Sequence, residues 1–250
     1  MIPVRFVVTT YNLWKINRWP EREESLRAFI RQAPPDVLCI QELRPQTRDV
    51  LDEELPTHAR VDDPFEGWIM EGTIYWNEAL FEYAEHGAEQ IGMLEELRRL
   101  FWTRLRVREH GATVVVATAH YTYQGNEREA SEGYSPRLDQ ARRTIAALDR
   151  LAGADEPVLF MGDLNDSVNP IKMLRAAGYA DSFTGIGRNP VPTHPAVPTA
   201  TGSPQVLDWQ FSRGPIRCLG SQVVDFFAHD VAPSDHKPVS SVYALETRQT

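Results

Sequence analysis

Asn12, Glu42, Asp163, Asn165, Asp208 and Asp235 offer hard oxygen atoms, and His120 and His236 offer imidazoles, at widely separated points of a 250-residue chain. Oxygen donors such as Glu42, Asp235 and Asn12 suit Mg²⁺ or Mn²⁺, whereas zinc sites draw on cysteine or clustered histidine. The chain contains neither an HExxH nor a CxxC sequence. Magnesium keeps several waters and takes one or two protein carboxylates plus substrate phosphate oxygens, so Glu42 alone suffices as its main ligand. Histidine titrates nearest neutrality, which suits His120 and His236 to proton transfer and phosphate contacts. These residue types point to cation-assisted chemistry on an anionic substrate.

The elements that must position them are strands. "VRFVVTTYN" (4–12) is β-branched and aromatic and delivers Asn12 at its tip, and "DVLCIQE" (36–42) repeats the design and stops on Glu42. "ATVVVATAHY" brings up His120, "PVLF" precedes Asp163 and Asn165, and "VLDWQFS" carries Asp208. Taken alone, "MGDLNDSV" (161–168) is turn chemistry, because Asp and Asn hydrogen-bond their own backbone. A lone histidine after an apolar strand is equally well a structural residue. Repetition of one design at strand after strand asks for a common explanation.

Helices fall between the strands. Pro20 in a first turn, Glu21, Glu23 and Glu24 at the positive end, and Leu26, Phe29 and Ile30 on one face predict the first. Others are expected near 46–54, from Ser135-Pro136 with Leu138, Ala141, Ile145 and Leu148 inward, and from Asn169-Pro170 to Ala176. "GTIYWNEALFEYAEHG" (72–87) reads as a hairpin, with its second half open to a helix as well, and "FWTRLRVRE" with "ATVVVATAHY" as another hairpin. "SQVVDFFA" (221–228) and "KPVSSVYAL" (237–245) complete the strand candidates. Several strands with few helices predict an α+β fold of stacked sheets.

Hydrophobic residues make up 42% of the chain and no linker or repeat divides it, so one domain over 1–250 is expected. The net charge of −9 disfavours nonspecific attraction to polyanions, yet a local cation can still bind phosphate. Arg98, Arg99, Arg104, Arg106 and Arg108 read as a solvated strand face rather than a polyanion track. Cys39 and Cys218 lie in different segments, as buried thiols or as a disulfide. The N-terminus lacks a secretory signal and no apolar run approaches ~18 residues, which predicts a cytoplasmic protein without a transmembrane segment. Residues 184–204, rich in Pro and Gly, should form a long surface loop of the kind that carries function.

In order along the chain, "TYNLW", "IQE", "TAHY", "GDLND", "LDW" and "SDHKPV" resemble the endonuclease/exonuclease/phosphatase superfamily with its deoxyribonuclease-I-like fold, from about residue 5 to residue 245. "RLDQARRTIAAL" is similar to the helix that follows the histidine strand in many members. The resemblance implies a four-layer α/β/β/α sandwich, two mixed β-sheets packed face to face with helices outside and the active site at one edge. It implies Glu42 as metal ligand with Asn12 beside it and Asp235 completing the network. Asp163 would orient or deprotonate the attacking water, Asn165 would hold it and a phosphate oxygen, and Asp208 would fix the tautomer of a phosphate-contacting His236. His120 would contact phosphate or assist the leaving group.

The expected activity is hydrolysis of a phosphodiester or phosphomonoester by direct water attack, with Mg²⁺ or Mn²⁺, on a nucleic acid, a nucleotide or another small phosphoester. A catalytically silent binding module on the same fold is the alternative, and a chelator-insensitive glycosidase with paired carboxylates a third. Glu71 is a loose candidate for a carboxylate supporting His120, otherwise a surface residue. Arg137 is either a phosphate ligand or half of a pair with Asp139 or a loop glutamate. Residues 122–137 read either as a substrate-selecting loop or as a plain surface excursion. Trp14, Tyr121 and Tyr123 are placed to stack on a base or sugar, although core packing explains Trp14 equally well.

Overall fold

The computed structural model of the chain describes residues 3–245. One six-stranded sheet runs β11(Ile216–Val223), β12(Val239–Leu245), β1(Arg5–Asn12), β2(Val37–Gln41), β4(Gly72–Asn77), β3(His58–Arg60). The other runs β5(Phe81–Glu89), β6(Leu100–Val107), β7(Thr113–His120), β8(Val158–Asp163), β10(Asp208–Arg213), β9(Ala180–Asp181). Each is mixed, with one parallel pair at its centre, β1 with β2 and β7 with β8, and antiparallel neighbours elsewhere. The helices are α1(Glu23–Gln32), α2(Pro45–Glu54), α3(Gly67–Met70), α4(Glu127–Glu132), α5(Pro136–Leu151) and α6(Asn169–Ala176). Parallel neighbours need a crossover, and α1 and α5 supply it for the two central pairs.

Side-chain alternation sorts the layers. Phe6, Val8, Val37, Cys39 and Ile74 of the first sheet meet Leu105, Val114, Val116, Leu159 and Met161 of the second in the central core. Leu38 and Ile40 point the other way, onto Leu26, Phe29 and Ile30 of α1 and Val50 and Leu51 of α2. On the far side, Val115, Ala117, Phe160 and Phe211 pack against Ala141 and Leu148 of α5 and Ile171 and Leu174 of α6. Each large apolar side chain fully buried this way contributes roughly 1.5–3 kcal/mol. The expected four-layer sandwich is the observed one.

Four local expectations differ. Residues 72–87 are not a hairpin: β4 pairs with β2 and β3, whereas β5 pairs with β6 in the other sheet. The turn at Asn77–Leu80 carries the chain across the sandwich, because Phe81 buries in the central core. Alternation identifies strands but not their partners. The first helix starts at Glu23, with Pro20 in the preceding turn, where its carbonyl accepts from Glu23 N at 2.8 Å. The strand placed at 221–228 ends at Val223 and begins at Ile216. Residues 122–137 contain a short helix, α4, capped by Asn126, whose side chain accepts from Arg128 N. Both cysteines are free thiols, Cys39 buried and Cys218 half-buried.

Candidate active site

Strand register gathers the polar residues. His120, the last residue of β7, lies opposite Asp163, the last residue of β8. Asp208, the first residue of the antiparallel β10, faces Asp163 from the other side. In the facing sheet Asn12 ends β1 level with Gln41, one residue before Glu42. All four parallel strands thus end at one edge of the sandwich. Gly162 is required there: its φ is 145°, and a Cβ would stand 1.9 Å from the Ala119 carbonyl oxygen on β7.

Asp163 is the hub. Its Oδ2 accepts from Asn12 Nδ2 at 3.0 Å and lies 3.3 Å from His120 Nε2 and 3.7 Å from His236 Nε2. Its Oδ1 accepts from the Asn165 backbone N–H at 2.9 Å, so the Asx turn legible in "GDLND" exists as well. His236 Nδ1 lies 2.7 Å from Asp208 Oδ2, a bond that fixes the ring and leaves Nε2 facing Asp163. Asn165 sits at φ 48° and donates Nδ2 to Tyr121 O at 3.0 Å. Ser234 Oγ donates to Asn12 O at 2.6 Å, and Asp235 Oδ1 lies 3.2 Å from the same hydroxyl oxygen.

Burial and charge set the proton inventory. Desolvation pushes Asp163 up to about 7, with Asp208 adding to it and the His236 charge opposing it. Burial disfavours a charged His236, but the Asp208 and Asp163 carboxylates outweigh it and push the imidazolium up to about 10. His120 is held well below the ordinary histidine value, first by burial and then by the Arg98 charge, so it is neutral. Asp235 is raised, by burial and by the nearby Glu42 charge. The site therefore pairs a fixed cation, His236, with a carboxylate poised near neutrality.

Glu42 has φ 55°, a left-handed conformation that costs roughly 1–2 kcal/mol in a residue with a Cβ. Strain of this kind concentrates at functional sites. Its carboxylate makes charge contacts rather than hydrogen bonds, with Oε1 3.8 Å from His120 Nδ1 and 3.9 Å from Arg98 Nη2. Both oxygens are free to bind a cation, and the oxygen donor set fits a hard, hydrated ion. Among the described residues, two clusters bring three ligand atoms within 4.8 Å of one another, His194 with Asp235 and His236, and Asp163 with Asp208 and His236. Neither contains Glu42, so Glu42 would be the main protein ligand of a cation there.

Several candidates lie elsewhere. Tyr121 is fully buried with its hydroxyl on Thr144, so it cannot stack on a ligand, whereas Tyr123 is exposed. Trp14 is half-buried under Arg22, whose guanidinium lies 5.2 Å from its ring. Arg137 is buried and bonds Glu129, the loop glutamate among its expected partners, together with Asp166 and the Thr122 carbonyl, which corrects the phosphate ligand and the Asp139 pair. Glu71 is half-buried, but its partners are Arg98 and Arg44 rather than His120. Arg98, expected on a solvated face, is 7% exposed because it lies before β6, outside the alternation.

Sequence reasoning missed His194. The 184–204 loop carries it in through Lys237 N–H to Thr193 O, Ala196 N–H to Asp235 O, and an isolated pairing with Gln205. Its Nε2 comes 4.0 Å from Asp235 and its ring centre 5.0 Å from that of His236. The only signal was the loop's length.

An α/β/β/α sandwich with this cluster at one edge defines a class of protein. Residues 9–236 match the endonuclease/exonuclease/phosphatase family, and the chain belongs to that family. No protein of curated function matches it in sequence. Among solved structures it is similar to an endonuclease/exonuclease/phosphatase family protein from Bacteroides thetaiotaomicron, with a TM-score of 0.81 and 17% identity over 98% of this chain and 100% of that one. A mannosyl-6-phosphatase of the same organism matches with a TM-score of 0.78 and 17% identity, over 94% and 98% of the two chains. TDP2 from D. rerio, complexed with single-strand DNA product, matches at 0.74 and 16%, over 96% and 98%. No helix among the described residues is long and apolar enough to cross a membrane.

Proposed function

We propose that the chain is a divalent-cation-dependent hydrolase of phosphoesters in which water attacks phosphorus directly. The observation that carries this reading is the contiguous set Asn12, His120, Asp163, Asp208 and His236, brought to one strand-end edge from four separate strands and a loop. A phosphoryl centre repels nucleophiles through its charged oxygens, so catalysis consists of neutralising that charge and placing a water. A bound Mg²⁺ or Mn²⁺ supplies a Lewis acid for the phosphoryl oxygens. Glu42 would hold it, with Asp235 and Asn12 alongside.

In this reading Asp163, ionised above about 7, accepts the water's proton, and Asn12 keeps the accepting oxygen aimed. His236, kept charged by Asp208, offers its Nε2 proton to a phosphoryl oxygen. Asn165 contributes a second amide proton beside the one given to Tyr121, and neutral His120 contacts the phosphate on the leaving-group side. The similarity to TDP2 and to a mannosyl-6-phosphatase supports either a diester or a monoester substrate. The charge of −9 favours a small phosphoester or a short single strand over a duplex.

The test is hydrolysis of bis-p-nitrophenyl phosphate and of a panel of nucleotides and sugar phosphates with Mg²⁺ or Mn²⁺. Turnover should vanish with EDTA, return with Mn²⁺, and be lost in a folded Glu42→Ala protein. Turnover that survives both changes refutes the reading. Ligand binding without any turnover would identify the silent binding module.

A further inference from the structure

We propose that Arg98 is a positioning residue that holds Glu42 and Asn165 in register, so that one guanidinium organises both halves of the site. This rests on the phosphoesterase reading and assigns a residue to it. Arg98 comes from the loop before β6, with two nitrogens of its fork at hydrogen-bond distance from partners and the third facing Glu42. Nε lies 3.1 Å from Glu71 Oε2, Nη1 3.3 Å from Glu95 Oε1 and 3.4 Å from Tyr121 O, and Nη2 3.9 Å from Glu42 Oε1. Tyr121 O is also the acceptor of Asn165 Nδ2.

Stability alone does not explain the arrangement. A buried guanidinium among carboxylates has a large desolvation penalty, and apolar side chains of similar size often serve stability as well or better. Its geometry does suit positioning. Glu71 and Glu95 grip the fork at hydrogen-bond range, and Glu71 is itself steadied by Arg44 at 3.7 Å. Glu42, by contrast, stands just beyond hydrogen-bond range. Arg98 therefore attracts that carboxylate, already fixed in a left-handed backbone conformation, without occupying the lone pairs a cation needs. The other ion-pair contact of Glu42, with His120, is also long at 3.8 Å and involves a neutral ring, so among the described residues Arg98 is the cation within 4 Å of Glu42, with Arg22 acting on it from farther away.

The experiment compares wild type with Arg98→Met and Arg98→Lys. Folded fraction is read by circular dichroism, Mn²⁺ affinity by electron paramagnetic resonance, and kcat and KM on bis-p-nitrophenyl phosphate at saturating Mn²⁺. Loss of an outer-shell partner typically costs about 10–100-fold, and that fall is expected in kcat and in Mn²⁺ affinity for Arg98→Met, after correction for folded fraction and with KM little changed. Arg98→Lys should not restore it, since a single ammonium cannot reach three carboxylates at once. A folded Arg98→Met with kcat within about threefold of wild type overturns the assignment, as does full recovery by lysine. Should Arg98→Met fail to fold, the Glu71→Gln/Glu95→Gln double variant keeps the guanidinium and removes its anchors. It should lose about tenfold in kcat, and wild-type kcat there overturns the proposal equally. An inactive wild type refutes the phosphoesterase reading, and one that also binds no Mn²⁺ removes the role of Glu42 and this inference with it. An active wild type beside active variants removes this inference alone.

Discussion

Replacing Asp208 by Asn tests the electrostatics of the site with little change of shape. His236 Nδ1 lies 2.7 Å from Asp208 Oδ2, with both residues buried. Burial alone would drive the imidazole below its ordinary value of 6.5, yet it stands near 10, a difference equivalent to about 5 kcal/mol in favour of the charged ring. That figure is what remains after burial is overcome, and Asp208 is the largest of the carboxylate contributors. An amide keeps an oxygen at the same place but removes the charge. A close opposite charge is worth about 1–3 in pKa, so His236 should titrate about 2–3 lower in the variant. With a weakened donor toward the phosphoryl oxygens, kcat should fall about 10²-fold at pH 8, as for loss of a single oxyanion donor. The folded pKa is raised above the unfolded value, so the stability His236 contributes is complete below 6.5 and lost as pH rises toward 10. Asp208→Asn should flatten that loss. The assays are the His236 Cε1–H chemical shift against pH, melting temperature against pH, and kcat. A ring that still titrates near 10, or kcat within about threefold of wild type, refutes the role given to Asp208.

Asp163→Asn should abolish turnover, yet gain stability relative to wild type as pH rises. Burial holds Asp163 up to about 7 from an ordinary 3.8, so the wild-type protein loses up to about 4 kcal/mol across that interval and an amide loses none. Paired melts at pH 4 and pH 8 check it, and a difference independent of pH would remove Asp163 as a poised base. Gly162→Ala should cost more than about 3 kcal/mol or prevent folding, because the new Cβ would meet the Ala119 backbone oxygen, which no rotamer change can move. Chemical denaturation measures it, and a loss under about 1 kcal/mol would mean that β7 and β8 separate easily beside the site.

The layers were legible because a strand buried on both faces leaves a near-continuous apolar run, and such runs are present in β1, β2, β7 and β8. The strand-end polar residues were legible for the complementary reason: a buried strand ending on Asn, Asp, Glu or His is a local event in sequence. What was not legible depends on contacts distant in the chain. The Phe81 strand joined the opposite sheet because the central core had room for its ring, a fact held by β6 and the first sheet rather than by residues 72–87. Arg98 was read as a solvated cation, and the loop-glutamate pair expected for Arg137 was found in Glu129 without its second partner Asp166, because Asp166 in one case and Glu71, Glu95 and Glu42 in the other are set by tertiary placement.

The same distinction explains why His194 escaped notice while His236 did not. His236 follows Asp235 directly and precedes a strand, whereas His194 is fixed by backbone bonds to Asp235, Lys237 and Gln205. Those bonds come from a loop rich in proline, glycine and threonine that carries a single histidine. A long loop costs little extra entropy to close once its ends are anchored. It can therefore bring a residue to the site from any sequence separation, leaving no periodic record. The sandwich determines where chemistry can occur, through strands that must end somewhere. The loops determine which further side chains reach that edge, where burial turns Asp163 into a poised base and the neighbouring carboxylates, against burial, keep His236 a fixed cation.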